Sequence, residues 1–87
     1  MSENNTVYVG NKSLLAYVLA ATTLFAKNDE IHIKARGKAM AKAIDVAEII
    51  KRRFENVKTE VTIGTEELER EGKKKPVSVI DIKLVKS

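Results

Sequence analysis

A change of hydrophobic period inside one short stretch constrains this fold more than any other feature of the chain. From Ile31 to Arg36 apolar and polar residues alternate, the pattern of a half-buried strand. Ala39, Met40, Ala43, Ile44, Ala47, Ile50 and Phe54 then recur at three and four, the pattern of an amphipathic helix. Gly37 stands at the switch, so Glu30 to Phe54 is predicted to be a strand, a turn and a helix. A helix N-terminus has unpaired N–H groups and a positive partial charge, which favour an acid or a Ser, Thr or Asn cap. Here the neighbours are Lys34, Arg36, Lys38 and Lys42, with no acid before Asp45. Each such cation costs up to a few tenths of a kcal/mol, roughly 1 in unfavourable geometry. An external anion offsets that cost, and phosphate is the natural one.

The beginning of the chain repeats the pattern. Thr6 to Val9 reads as a short strand ended by Gly10, and Asn11 or Ser13 caps a helix that ends near Lys27 and Asn28. Its expected buried face is Leu14, Leu15, Val18, Leu19, Thr22 and Phe25, and its start carries Lys12 and no acid. After the helix of residues 39–54, Val57, Thr59, Val61 and Ile63 alternate with polar residues as a strand, and Ser78 to Val85 is its expected partner, with Ile80, Ile82 and Leu84 facing the core. The connection TEELEREGKKKP is acidic on the way out and basic on the way back, at Lys73, Lys74 and Lys75. It reads as too long for a tight turn and too polar for a core, hence as a protruding arm with its tip at residues 65–77. Residues 1–5 are polar and expected to fray.

The order β-α-β-α-β-β predicts one α+β domain over residues 1–87, two helices on a four-stranded mixed sheet. Two strands joined by a helix are expected to run parallel. Parallel strands bring both strand-to-helix turns to one edge of the sheet, so Asn11, Lys12, Lys34, Arg36, Lys38 and Lys42 are predicted to form one basic surface. With 16 Lys and Arg against 12 Asp and Glu the net charge is only +4, but Glu66, Glu67, Glu69 and Glu71 crowd into the arm and leave the body more basic than the total. Arg70 and Lys73 to Lys75 are the arm's candidate contacts.

Several classes are excluded or disfavoured. With no cysteine and one histidine, the chain has no disulfide, no thiolate metal site and no histidine cluster for zinc, and no cofactor is expected. No apolar run approaches the ~20 residues of a membrane span, and the start lacks the features of a signal peptide. The expectation is a cytoplasmic protein without membrane contact. No nucleophile-base pair or paired carboxylates suggest an enzyme. Tyr8, Tyr17, Phe25 and Phe54 are the only aromatics, too few for a series of base-stacking platforms. Binding through phosphate and shape, with little sequence preference, is what remains. A chain of 87 residues buries only about 60–65% of its unfolded surface, so dimerisation would help it. Val46 and Ile49, on a second face of the second helix, are candidates for a subunit interface, and Phe54 fits either the core or such a contact.

The runs IKARGKAMAKAID (Ile33 to Asp45), GNKSLLAYVLA (Gly10 to Ala20) and RRFENVKTE resemble the archaeal Alba family of small nucleic-acid-binding chromatin proteins. The resemblance implies a homodimer with two β-hairpin arms reaching along nucleic acid and a body that meets the phosphate backbone of double-stranded DNA, and of RNA in some relatives. It maps body contacts to Lys12, Lys34, Arg36 and Lys38, and contacts between dimers to Phe54. Two departures stand out. The family's loop often carries a lysine pair after the glycine, one of them a proposed acetylation site, and here the first of the pair is Asn11, so an acetylation switch does not carry over to that position. The arm is also less basic than is common. Two other readings are an RNA-binding subunit of a ribonucleoprotein and a protein-interaction module whose acidic and basic arm strands recognise each other.

Overall fold

The computed structural model describes residues 2–87, and its elements are β1 (Ser2–Glu3), β2 (Thr6–Tyr8), α1 (Leu14–Lys27), β3 (Glu30–Arg36), a 3-10 turn (Gly37–Ala39), α2 (Met40–Arg53), β4 (Val57–Arg70) and β5 (Lys73–Lys86). The sheet order is β1-β2-β3-β5-β4, with β2 parallel to β3 and every other pair antiparallel. The expected two helices on a mixed four-stranded sheet are present, and β1 adds a two-residue edge. Met1 lies outside the described residues. Ser2 and Glu3 pair with Val7 and Thr6, and the Asn5 carbonyl accepts the His32 N–H at 2.8 Å. Free backbone groups of β2 and β3 hold the start of the chain in place.

One apolar layer separates sheet and helices. Val7, Ile31, Ile33 and Leu84 from the sheet, Phe25 from α1 and Val46 and Ile50 from α2 are fully buried. Burying each large aliphatic side chain stabilises by about 1.5–3 kcal/mol relative to exposure. Phe54, just past α2, is half-buried against this core, its ring edge-on to Phe25 at 4.8 Å between centroids.

Three expectations, two about helix faces and one about the arm, are corrected. In α1 the buried residues are Tyr17, Val18, Ala21 and Phe25, whereas Leu15 and Leu19 are 62% and 56% exposed. That helix is apolar on more than one side, so periodicity could not select its face; the small Ala21 lies on the side that packs. In α2 the buried stripe is Ala43, Val46, Ala47 and Ile50. Val46 is thus a core residue of the single chain and has no surface to offer a partner, while Ile49 is partly buried at the core's margin. The third correction concerns the arm. β4 and β5 remain paired from Val57↔Lys86 to Arg70↔Lys73, and only Glu71 and Gly72 turn the chain. Both have positive φ, 52° and 76°, the conformation of a two-residue hairpin turn. The arm is a continuous ribbon, and the chain extends 46 Å along its longest axis against 23 and 21 Å across.

Gly37 makes the predicted strand-to-helix switch with φ +56°, a left-handed conformation that costs a residue with a Cβ roughly 1–2 kcal/mol. A Cβ added there meets no atom within 4 Å. Gly37→Ala is therefore expected to lower stability by about 1 kcal/mol through backbone strain alone, measured as a shift of the urea midpoint with an unchanged slope.

Candidate nucleic-acid interface

Parallel pairing of β2 with β3 places both strand-to-helix turns at one end of the sheet. Val9 N–H donates to the Lys34 carbonyl at 2.8 Å, the last such bond before the first turn leaves the sheet. Past it, the turns touch: the Lys42 ammonium donates to the Lys12 carbonyl at 2.6 Å and lies 3.5 Å from that of Gly10. The two cationic helix starts are one surface.

Of the two candidates for capping α1, Ser13 does so, its hydroxyl accepting the Ala16 N–H at 3.3 Å. The first turn of α1 holds no acid. The 3-10 turn and α2 begin at Arg36 and Ala39 without a side-chain cap, and again without an acid in the first turn. Asn11, Lys12, Arg36 and Lys38 are exposed and Lys34 is half-exposed. Positive charge and uncapped N–H groups thus converge where the fold supplies little negative charge, the arrangement that binds oxyanions.

The alternation of the ladders decides which arm residues join this surface. Ile31, Ile33 and Ala35 point to the helices, as do Ile80 and Ile82, so Lys34 and Arg36 lie on the other side of the sheet. Arg36 pairs with Val79, Val79 with Gly64, Val77 with Glu66, Lys75 with Leu68 and Lys73 with Arg70. By the two-residue period Arg70, Lys73 and Lys75 continue the Lys34 and Arg36 side of the ladder. Lys74 falls on the opposite side, directly across from Glu69. Arg70 and Lys73 face each other at the tip, a like-charge pair that destabilises a hairpin.

Glu66 is the arm's acid on the basic side, which also holds Asp81 across from Lys34. The Glu66 carboxylate is 3.6 Å from the Arg36 guanidinium, with both side chains more than half exposed. The arm's glutamates are adjacent in sequence but not equivalent, and parity of position along the strand separates Glu66 from Glu67 and Glu69. The role of Tyr17 is not legible in the sequence. It is buried, and its hydroxyl accepts the N–H groups of Gly10 at 2.9 Å and Lys12 at 3.0 Å.

His32 is only 24% exposed and lies between two carboxylates, Nδ1 at 2.9 Å from Asp81 and Nε2 at 3.0 Å from Glu30. Among the described residues no group of acidic or histidine side chains has the arrangement of a metal site, and no helix is long and apolar enough to cross a membrane.

Comparison with known proteins agrees with this fold. The sequence model of the Alba family matches residues 5–66, from β2 through the base of the arm. The DNA/RNA-binding protein Alba of Methanocella arvoryzae is 47% identical over 86 residues, covering 94% of this chain and 90% of that protein. The DNA/RNA-binding protein Alba 1 of Archaeoglobus fulgidus is 45% identical, with coverage of 94% and 96%. Among solved structures, Alba from Thermoplasma volcanium superposes with a TM-score of 0.86 at 44% identity, covering 94% of this chain and all of that one.

Proposed function

The chain belongs to the Alba family, and from that premise we propose that it is an architectural nucleic-acid-binding protein. It binds double-stranded DNA through phosphate contacts with little sequence preference, binds RNA as well, and works on the chromosome as a coat or compacting agent without catalysing a reaction. The observation that carries this reading is the contact of Lys42 with the Lys12 carbonyl at 2.6 Å. It joins two acid-free helix starts into one cationic surface. Lys12, Lys34, Arg36 and Lys38 are the proposed body contacts, with Arg70, Lys73 and Lys75 along the arm. The shortage of exposed aromatics fits a reader of backbone and shape.

Affinity for a mixed-sequence duplex is expected to fall with salt at a slope of about −0.9 per phosphate neutralised. Arg36→Ala with Lys38→Ala should flatten the log–log slope by about 2 for each chain bound and weaken all sequences alike. Equal slopes for variant and wild type would remove the assignment. Structured RNA competing at matched salt measures the preference between the two nucleic acids.

Glu66 holds Arg36 in the free protein, so phosphate must displace a carboxylate. An exposed pair of this kind is worth about 0.2–1 kcal/mol. Glu66→Gln is expected to tighten duplex binding by about two- to fivefold, and weaker binding would mean that Glu66 orients Arg36 instead of competing for it.

The working unit is proposed to be a homodimer. Val61 and Ile63 lie across from Ile82 and Ile80 on the helix side of the sheet, yet they are 55% and 73% exposed. α2 packs over β3 and β5, leaving the edge strand uncovered. Ile44 on α2 is also exposed, at 46%. For a domain this small, burying such residues against a second copy adds core that one chain lacks. Ile63→Glu should give the light-scattering mass of one 9.7 kDa chain where the parent gives two; an unchanged mass would place the interface elsewhere. For contacts between dimers, Phe54 offers only the part of its ring left by Phe25 and by the Lys86 ammonium, 5.9 Å from its centroid.

A further inference from the structure

Lys12 sits in the loop between β2 and α1, where the chain has left the sheet and no regular ladder holds it. Loops of this kind usually sample many conformations. Here the loop is held from two directions. From below, the Tyr17 hydroxyl accepts two backbone N–H groups, of Gly10 at 2.9 Å and of Lys12 at 3.0 Å. From the other helix, the Lys42 ammonium donates to the Lys12 carbonyl at 2.6 Å, with the Gly10 carbonyl at 3.5 Å. Its nitrogen is also 5.9 Å from the centre of the Tyr17 ring, within reach of a cation–π attraction.

The peptide groups on both sides of the Lys12 Cα are therefore fixed, the N–H by α1 and the carbonyl by α2. Only the side chain of Lys12 is left to move. The Tyr17 ring is 3% exposed, so its oxygen is placed by packing and is not itself searching for a partner. Lys42 lies in the first turn of α2, where a cation is disfavoured by the helix dipole; the loop carbonyls give it a local partner. Its charge is already engaged at hydrogen-bonding distance, unlike the exposed charges of Lys12 and Lys38.

We propose that Tyr17 and Lys42 are positioning residues for nucleic-acid binding: together they clamp the backbone of residues 10–12 so that Lys12 meets a phosphate in register with Lys34, Arg36 and Lys38. The inference rests on the nucleic-acid reading above and assigns Lys42 a role through Lys12, in place of the direct phosphate contact expected from the sequence. Holding the loop before contact removes an ordering cost from binding.

The test is a double-mutant cycle on duplex binding across a salt series, using Tyr17→Phe, Lys12→Ala and their combination, with thermal melting and amide exchange of the free proteins. Tyr17→Phe keeps the ring and removes the acceptor oxygen. It is expected to weaken binding by about three- to tenfold and to flatten the salt slope by up to about 0.9 per chain, as Lys12→Ala does. The combined variant should bind no worse than Lys12→Ala alone. Amides of Gly10 and Lys12 should exchange faster in Tyr17→Phe, with those of β5 unchanged. Lys42→Met, at a partly exposed site, repeats the cycle should Tyr17→Phe fold poorly, and its loss should likewise vanish in the Lys12→Ala background.

A wild type that binds, with Tyr17→Phe binding at the same affinity and slope, overturns the clamp alone. So does a loss that adds in full to that of Lys12→Ala, which for Lys42→Met would mean that Lys42 meets phosphate itself. Wild-type protein without salt-dependent binding would instead overturn the parent reading and the clamp with it.

Discussion

The parallel pairing of β2 with β3, Val7 opposite Ile33, is the constraint on which the rest depends. A parallel pair needs a crossover, and α1 supplies it, so both strands deliver their following turns to the same end of the sheet. Were the pair antiparallel, Lys12 and Lys38 would stand at opposite ends of the domain and neither helix start would have company. The pairing is secured by burial on the core side, where Val7, Ile31 and Ile33 are completely covered. A one-residue slip of β2 would turn Val7 to solvent. The register that builds the core is thus the one that builds the basic surface.

The arm obeys the same parity under weaker enforcement. Beyond Val79 and Gly64 no helix covers the ribbon, and its register rests on backbone pairing and on the two-residue turn at Glu71 and Gly72. Alternation sorts its charges nonetheless. Glu67, Glu69 and Lys74 fall on one side, and Arg70, Lys73 and Lys75 on the other. A chain with only +4 net charge can therefore gather Arg70, Lys73 and Lys75 on one side of its arm, and attraction to a polyanion depends on such local charge within about a Debye length. Glu66 is the exception among the arm's strand glutamates, and it stands beside Arg36.

Much was legible in the chain itself. The switch of period at Gly37, the alternation of β3 and the missing acids at both helix starts are local properties, carried by neighbouring residues, and each has its counterpart in the structure. The run Glu-Gly, by contrast, lacks the Asn-Gly or Asp-Gly signature of a tight hairpin, so the arm read as a long connection. Leu15 and Leu19 read as core because α1 is apolar around more than one side; only the approach of α2 and the sheet distinguishes Ala21 from them. Val46 was separated from the Ala43, Ala47 and Ile50 stripe on paper, although the buried sector of a real helix is wide enough to include it.

By itself, then, the sequence determined the order of elements, the class of fold and the two cationic turns, because period, capping chemistry and charge act over a few neighbouring residues. Tertiary structure decided how those cations are used. Lys42 reaches the Lys12 carbonyl across 30 positions of chain, and Tyr17 reaches two backbone N–H groups of the preceding loop. Arg36 meets Glu66 across an intervening strand. Hydrogen bonds and ion pairs act over a few ångströms, and which groups come that close is settled by strand order, register and helix packing, none of which a local pattern contains.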